Sequence, residues 1–194
     1  MNTNELTKIK KLYFTYRDVA QTLGISENAA IVTCSRYVKS GVLLRLKRNL
    51  YMNRQKWEYL TVSELYEISN MLQVPSYISL TTAISYYGYS TQIQQDFFES
   101  IATNRTVAIE ILDSDFNYSK ISKSLYYGFV KKENFFIALP EKAILDALYL
   151  QFLGRYRLDI SSIDMEKIEP EKMQELAAGF PDYFKLYLKR SIKN

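Results

Sequence analysis

The stretch TYRDVAQTLGISENAAIVTCSRYVKSGVLLRLKRNLYM, residues 15–52, decides how this chain is read. Thr15-Tyr16-Arg17-Asp18 has the spacing of a capping box, in which the Asp18 carboxylate reaches back to the cap at a helix start. Val19, Ala20 and Leu23 then fall three and four apart on one helical face, and Gly24 supplies the left-handed residue that ends the helix. Ser26 caps a second helix, expected over residues 27–40 and stopped by Gly41. Val42-Leu43-Leu44-Arg45-Leu46 and Leu50-Tyr51-Met52 follow as two short apolar runs. Lys47-Arg48-Asn49 separates them, so the pair reads as a hairpin with a basic tip.

Helix, tight glycine turn, longer helix and basic hairpin, in that order, are the outline of a winged helix-turn-helix. A second helix held across the first by a short turn projects into the major groove, and a basic hairpin reaches the neighbouring backbone. The same outline without DNA occurs as a protein-docking module, which is the competing reading. The run Ala29-Ala30-Ile31-Val32-Thr33-Cys34 allows two registers for the second helix. The favoured one buries Ala30, Cys34, Tyr37 and Val38 and turns Asn28, Ser35, Arg36 and Lys39 outward.

In that register Arg36 and Asn28 are the candidate base readers, because Arg bonds a guanine edge bidentately and Asn an adenine edge. A phosphate contact is the alternative role for Arg36. Ser35 and Lys39 suit phosphates, as does Arg17 beside the first helix's N-terminus. Ser26, at the start of the second helix, joins the candidate DNA contacts. In the wing, Arg45, Lys47, Arg48 and Asn49 alternate with Leu44, Leu46 and Leu50, so one face packs and the other points outward to backbone or minor groove. Cys34 reads as a small buried apolar residue.

Charge follows the same division. The 194 residues carry a formal charge of +4. Cut after Lys56, residues 1–56 hold eleven Lys and Arg against three Asp and Glu, a local charge of +8, and the remainder is −4. Such an excess raises the local concentration of polyanions, of which nucleic acid is the commonest. We therefore expect a winged helix-turn-helix DNA-binding domain over residues 1–56 and a C-terminal domain over residues 57–194.

With 47% hydrophobic residues the chain has the means to bury real cores, and it falls outside the disordered class. It has no His and one Cys, Cys34. Ser-His-Asp and Cys-His nucleophilic systems, histidine-ligated zinc and multi-cysteine zinc sites are thereby excluded within this chain. The single cysteine and the lack of an apolar leader in MNTNELTKIKK point to the cytoplasm, and no apolar run approaches a membrane span.

Beyond Trp57 the sequence turns aromatic. Helical spacing is expected over residues 61–72, 79–88 and 140–153, with one or two further helices between Pro170 and Lys193. Runs at 97–102, 107–112, 116–121 and 135–139 are β-branched and aromatic and read as an antiparallel sheet. The expected fold class is thus α+β: an N-terminal winged helix-turn-helix followed by a mixed α/β C-terminal domain with a small antiparallel sheet. Carboxylates at Glu110, Asp113, Asp115, Glu141 and Asp146 raise a Mg²⁺-dependent enzyme as a third class. Asp113-Ser114-Asp115 between strands reads better as a polar turn, and no glycine-rich phosphate loop is present. No catalytic residue, metal or cofactor is expected.

Taken together these segments resemble the AbiEi antitoxins of abortive-infection, type IV toxin-antitoxin systems. The resemblance rests on Gly41-Val42-Leu43-x-Arg45-Leu46-x-Arg48-x-x-Tyr51 at the end of the winged helix and on Tyr77-Ile78-Ser79-Leu80-Thr81-Thr82-Ala83 with Tyr87-Gly88. It rests further on Ile101-Ala102-Thr103 with Arg105, and on Pro140-Glu141-Lys142-Ala143-Ile144-Leu145-Asp146. Asn49 stands where the family often has Gly in the wing. The resemblance implies a repressor whose winged helix binds double-stranded DNA at inverted repeats in its own promoter, a site that two molecules on two half-sites would suit. It also implies a C-terminal part that neutralises a nucleotidyltransferase toxin without needing stable contact. A regulator unrelated to any toxin, with a ligand- or partner-binding C-terminal domain, remains the alternative.

Overall fold

The computed structural model describes residues 3–91 and 94–191. The chain forms two compact units, residues 1–65 and 66–194, where the sequence placed the join after Lys56.

In the first unit a 3-10 turn, Thr3–Lys8, precedes α1 (Tyr16–Leu23) and α2 (Glu27–Lys39). A hairpin of β1 (Leu43–Lys47) and β2 (Leu50–Asn53) follows, then the short α3 (Arg54–Trp57). Asp18 closes the start of α1 by accepting from the Thr15 N–H at 2.7 Å and the Thr15 hydroxyl at 2.8 Å. Phe14, just ahead of it, exchanges both backbone hydrogen bonds with Tyr51, so the segment entering α1 is paired to β2. Phe14, Val19, Ala30, Cys34, Leu43 and Tyr51 meet in one core, joined by Leu6 and Ile9 from the N-terminal turn. Cys34 is completely buried, and burial pushes its thiol up to about 11.

The second unit begins in α4 (Val62–Leu72), opened by a reciprocal Thr61–Glu64 capping box. β3 (Ser76–Ile78), α5 (Leu80–Tyr86), β4 (Phe97–Ala102), β5 (Val107–Ile111) and β6 (Ser114–Lys120) follow. Then come β7 (Phe129–Lys132), β8 (Phe135–Ala138), α6 (Pro140–Phe152), α7 (Pro170–Ala177) and α8 (Asp182–Ser191). Lys193, the expected end of the tail helices, lies outside the described residues. The strands make one six-stranded sheet in the order β5-β6-β4-β3-β8-β7.

That sheet is mixed, which corrects the expected antiparallel one. β6 turns back inside β5 to lie parallel beside β4, and β8 runs parallel to β3. β3 and β7 were not among the four expected runs. The first is only three residues long and the second ends in Lys131-Lys132, so neither carries a strand's apolar pattern.

α6 is buried from Glu141 through Leu150, on every face, as befits a helix at the centre of its unit. Two of those residues are charged. Lys142 and Asp146, one turn apart and both fully buried, form an ion pair. Tyr77 and Ser79 from the β3 end each donate a hydroxyl hydrogen bond to Asp146 Oδ2 at 2.9 Å, and Lys142 Nζ lies 3.0 Å from the Tyr77 hydroxyl. The rings of Tyr127 and Phe180 face the ammonium at 5.3 and 5.2 Å. Gly128, at φ 74, comes so close that a Cβ would sit 3.0 Å from the Lys142 stem.

On the other side of the same segment, Glu99 accepts from the Thr81 N–H and the Tyr156 hydroxyl, both at 3.1 Å, while burial raises its carboxyl above the usual range. Leu80 lies between these two anchors at φ 55, a left-handed conformation that costs a bulky residue about 1–3 kcal/mol. Ser79 on Asp146 and Thr81 on Glu99 hold it there.

Two outcomes follow. Replacing Lys142 by Met strands a buried carboxylate and should lower unfolding free energy by about 3–5 kcal/mol in denaturant titrations. Lys142→Met combined with Asp146→Asn, which restores neutrality, should lose less; an equal loss would mean that the charge is not what matters. The Cys34 thiol should react with a chromogenic disulfide reagent at pH 8 only as fast as the unit opens, and rapidly in denaturant. Immediate reaction in the native protein would contradict the packing of α2.

Candidate nucleic-acid interface

The turn between α1 and α2 is made by Gly24 at φ 63, whose conformation reverses the chain, with the Ile25 N–H bonded back to the Ala20 carbonyl. Ser26 then caps α2, its hydroxyl accepting from the Ala29 N–H at 3.2 Å. Ser26 is exposed, but its oxygen is already occupied by the helix.

α2 is two-faced. Ala30, Thr33, Cys34 and Tyr37 are buried and Val38 is half-buried. Asn28, Ser35, Arg36 and Lys39 are exposed; the last three follow Asn28 by seven, eight and eleven residues, so all four lie on one side of the helix. The favoured register is the one adopted. Val32, at 50% exposure, lies among these polar residues and was not among the candidates read from sequence. The signal was available in principle, since Asn28, Ser35 and Arg36 all stand three or four residues from it.

Arg17 is exposed, and its guanidinium lies 3.4 Å from Glu27 Oε1 and 5.8 Å from the centre of the Tyr16 ring. The Glu27 carboxylate raises the Arg17 pKa further above its ordinary value. A phosphate at the α1 N-terminus would therefore compete with Glu27 for this side chain. Lys11 is likewise paired, with Asp18 at 2.5 Å.

The hairpin departs from simple alternation. Its register shifts between Arg45 and Lys47, so a bulge at Leu46 lets Leu43 and Leu46 both be buried. Arg45 and Arg48 are exposed, whereas Lys47 is half-buried and burial lowers its pKa. Asn49 takes φ 58, a conformation Asn tolerates better than most residues, and this is how the turn closes without glycine. Its side-chain oxygen points back into the protein and accepts from the Tyr16 N–H at 3.1 Å, at the start of α1. Leu46, Leu50 and Met52 are buried, so the hairpin has little free apolar surface.

The carboxylates of the second unit do not converge. Glu110 and Asp115 are partners across β5 and β6, Asp113 sits in the turn between those strands, and Asp146 is bound to Lys142. Glu141 accepts from the Glu169 N–H at 3.4 Å. Among the described residues no group of three or more His, Cys, Asp or Glu is placed to hold a metal ion. No helix among them is long and apolar enough to cross a membrane.

Gly24 thus joins two helices, the second of which turns Asn28, Ser35, Arg36 and Lys39 outward, within a stretch whose local charge is +8. Residues 5–54 match the family model described as transcriptional regulator, AbiEi antitoxin. No curated protein matches the chain significantly.

The Arg17–Glu27 pair gives a direct test. Glu27→Gln should release Arg17 for a phosphate and steepen the slope of log K against log salt for duplex DNA by about 0.9. An unchanged slope would show that Arg17 meets no phosphate.

Proposed function

We propose that the first unit is a winged helix-turn-helix that binds double-stranded DNA, and that the protein is an antitoxin repressing its own toxin-antitoxin operon. The observation that carries this reading is the face of α2, where Asn28, Ser35, Arg36 and Lys39 are exposed while Ala30, Cys34 and Tyr37 anchor the helix from behind. The AbiEi match over residues 5–54 supports it. In this reading α2 enters the major groove, where Arg36 and Asn28 bond base edges and Ser35 and Lys39 bond phosphates. Arg45 and Arg48 reach the backbone from the hairpin, with Lys47 partly committed to packing. Arg17 serves a phosphate once it exchanges Glu27 for it. Ser26 and Asn49 act mainly by shaping the interface, since their side chains hold the α2 cap and the α1–hairpin junction.

The operator would be an inverted repeat, with two molecules on two half-sites. The second unit, over the residues beyond the DNA-binding head, would neutralise a nucleotidyltransferase toxin, and the protein would work as a regulator rather than an enzyme. A second reading keeps the DNA-binding head and gives the C-terminal unit a ligand or partner unrelated to a toxin. A cavity of about 540 Å³ lined by Met173, Ala177, Lys185 and Leu188 between α7 and α8 favours it. The gene beside this one separates the two, a toxin-like neighbour supporting the first.

Purified protein should bind its own promoter in preference to scrambled DNA, with strong salt dependence. Arg36→Ala should cost about 1–3 kcal/mol and relax preference at one base position. Uniform weakening across sequences would assign Arg36 to phosphate, and no preference at all would make the unit a protein-docking module.

A further inference from the structure

The face of α2 that the proposed function turns toward DNA is apolar at its centre. Val32 is 50% exposed, and its neighbours one turn away are Asn28 and Ala29 on one side and Ser35 and Arg36 on the other, all four exposed. Ala30 and Cys34, two residues to either side of Val32, are completely buried, so Val32 projects from the opposite side of the helix to the core. A single exposed valine on a protein surface carries no meaning by itself. This one lies between Asn28 and Arg36, the two residues best suited to read base edges. Three of its four one-turn neighbours, Asn28, Ser35 and Arg36, are polar, so the apolar area around it is small for a docking patch. Ile31, at 45% exposure, is adjacent in sequence and so projects about 100° away around the helix.

Among the groups that base pairs present in the major groove, the C5-methyl of thymine is the apolar one. A valine pressed onto any other edge would strip water from a donor or acceptor without replacing the hydrogen bond. We propose that Val32 is a specificity-determining residue that packs on a thymine methyl, so that the half-site carries a thymine beside the base pairs bonded by Asn28 and Arg36. This rests on the winged-helix reading of the first unit. It makes recognition at the middle of the helix a matter of shape and desolvation, flanked by hydrogen bonds.

The experiment starts from the full-length protein and a duplex enriched by selection from a random library. Each thymine of that duplex is replaced singly by uracil, which removes only the methyl group. One replacement should weaken binding about fourfold, the worth of one buried methyl. The same replacement should be silent with Val32→Ala, a substitution that the helix tolerates well. Tolerance of uracil at every position, or a penalty that persists in full with Val32→Ala, would overturn the contact while leaving the DNA-binding reading intact. A library that yields no enriched sequence would overturn the reading itself, and the contact with it.

Discussion

Phe14 and Tyr51 exchange both of their backbone hydrogen bonds, each at 2.8 Å, and the first unit depends on this pairing. A two-stranded hairpin is marginal in water on its own. Here β2 gains a partner on its open side from the segment that leads into α1, and the Phe14 ring enters the same core as Val19, Cys34 and Leu43. Asn49 adds a second tie, from the hairpin turn to the first amide of α1. Helix start and hairpin tip are thus fixed to each other by groups that no ligand has to supply. Because α2 packs on that core through Ala30 and Cys34, the direction of its outer face is fixed as well.

The second unit is organised by a different constraint, a charge pair with no access to water. Removing Lys142 and Asp146 from solvent is expensive, and their attraction compensates only where every remaining donor and acceptor is met. Tyr77, Ser79 and the rings of Tyr127 and Phe180 meet them. A slip of α6 by one residue would carry the pair away from the Tyr77 and Ser79 hydroxyls and leave Asp146 short of both hydrogen bonds in the interior, so these contacts select one register of α6 against β3. The left-handed Leu80 is a local cost of this arrangement, since Ser79 and Thr81 must serve partners on opposite sides of it.

These two constraints also explain what the sequence could and could not reveal. The helices were legible because caps and periodicity are local: Asp18 three residues after Thr15, Gly24 after Leu23, and Pro140 ahead of an apolar run. The buried face of α2 was legible for the same reason. The parallel pairing of β4 with β6 and of β3 with β8 was not, because direction within a sheet depends on which distant strand arrives as neighbour, and Ser76–Ile78 is too short to declare itself. Tyr77, Ser79, Lys142 and Asp146 stood out in the sequence only as parts of two family-like blocks some sixty residues apart. Their meeting in one buried network is a property of tertiary structure. At the interface, the outward face of α2 was readable, whereas the inward use of Asn49 and the bulge at Leu46 were not, since both answer to contacts with other elements.

The charge of the first unit overstates what is available to a nucleic acid. Arg17 is paired with Glu27 and Lys11 with Asp18, while Lys47 is half-buried. Lys8, Lys10, Arg36, Lys39, Arg45, Arg48 and Arg54 are exposed and have no ion-pair partner among the described residues. Two of them stand on α2 and two on the hairpin. Sequence-independent attraction scales with the number of phosphates neutralised, so in the proposed reading the four cations of α2 and the hairpin hold DNA in a way that is sensitive to salt. In the proposed reading discrimination comes from the outer face of α2, where Asn28, Val32 and Arg36 offer three chemically different contacts. Under that reading Arg36 by itself would favour a guanine, and the amide of Asn28 and the methyls of Val32 extend the preference to the base pairs beside it.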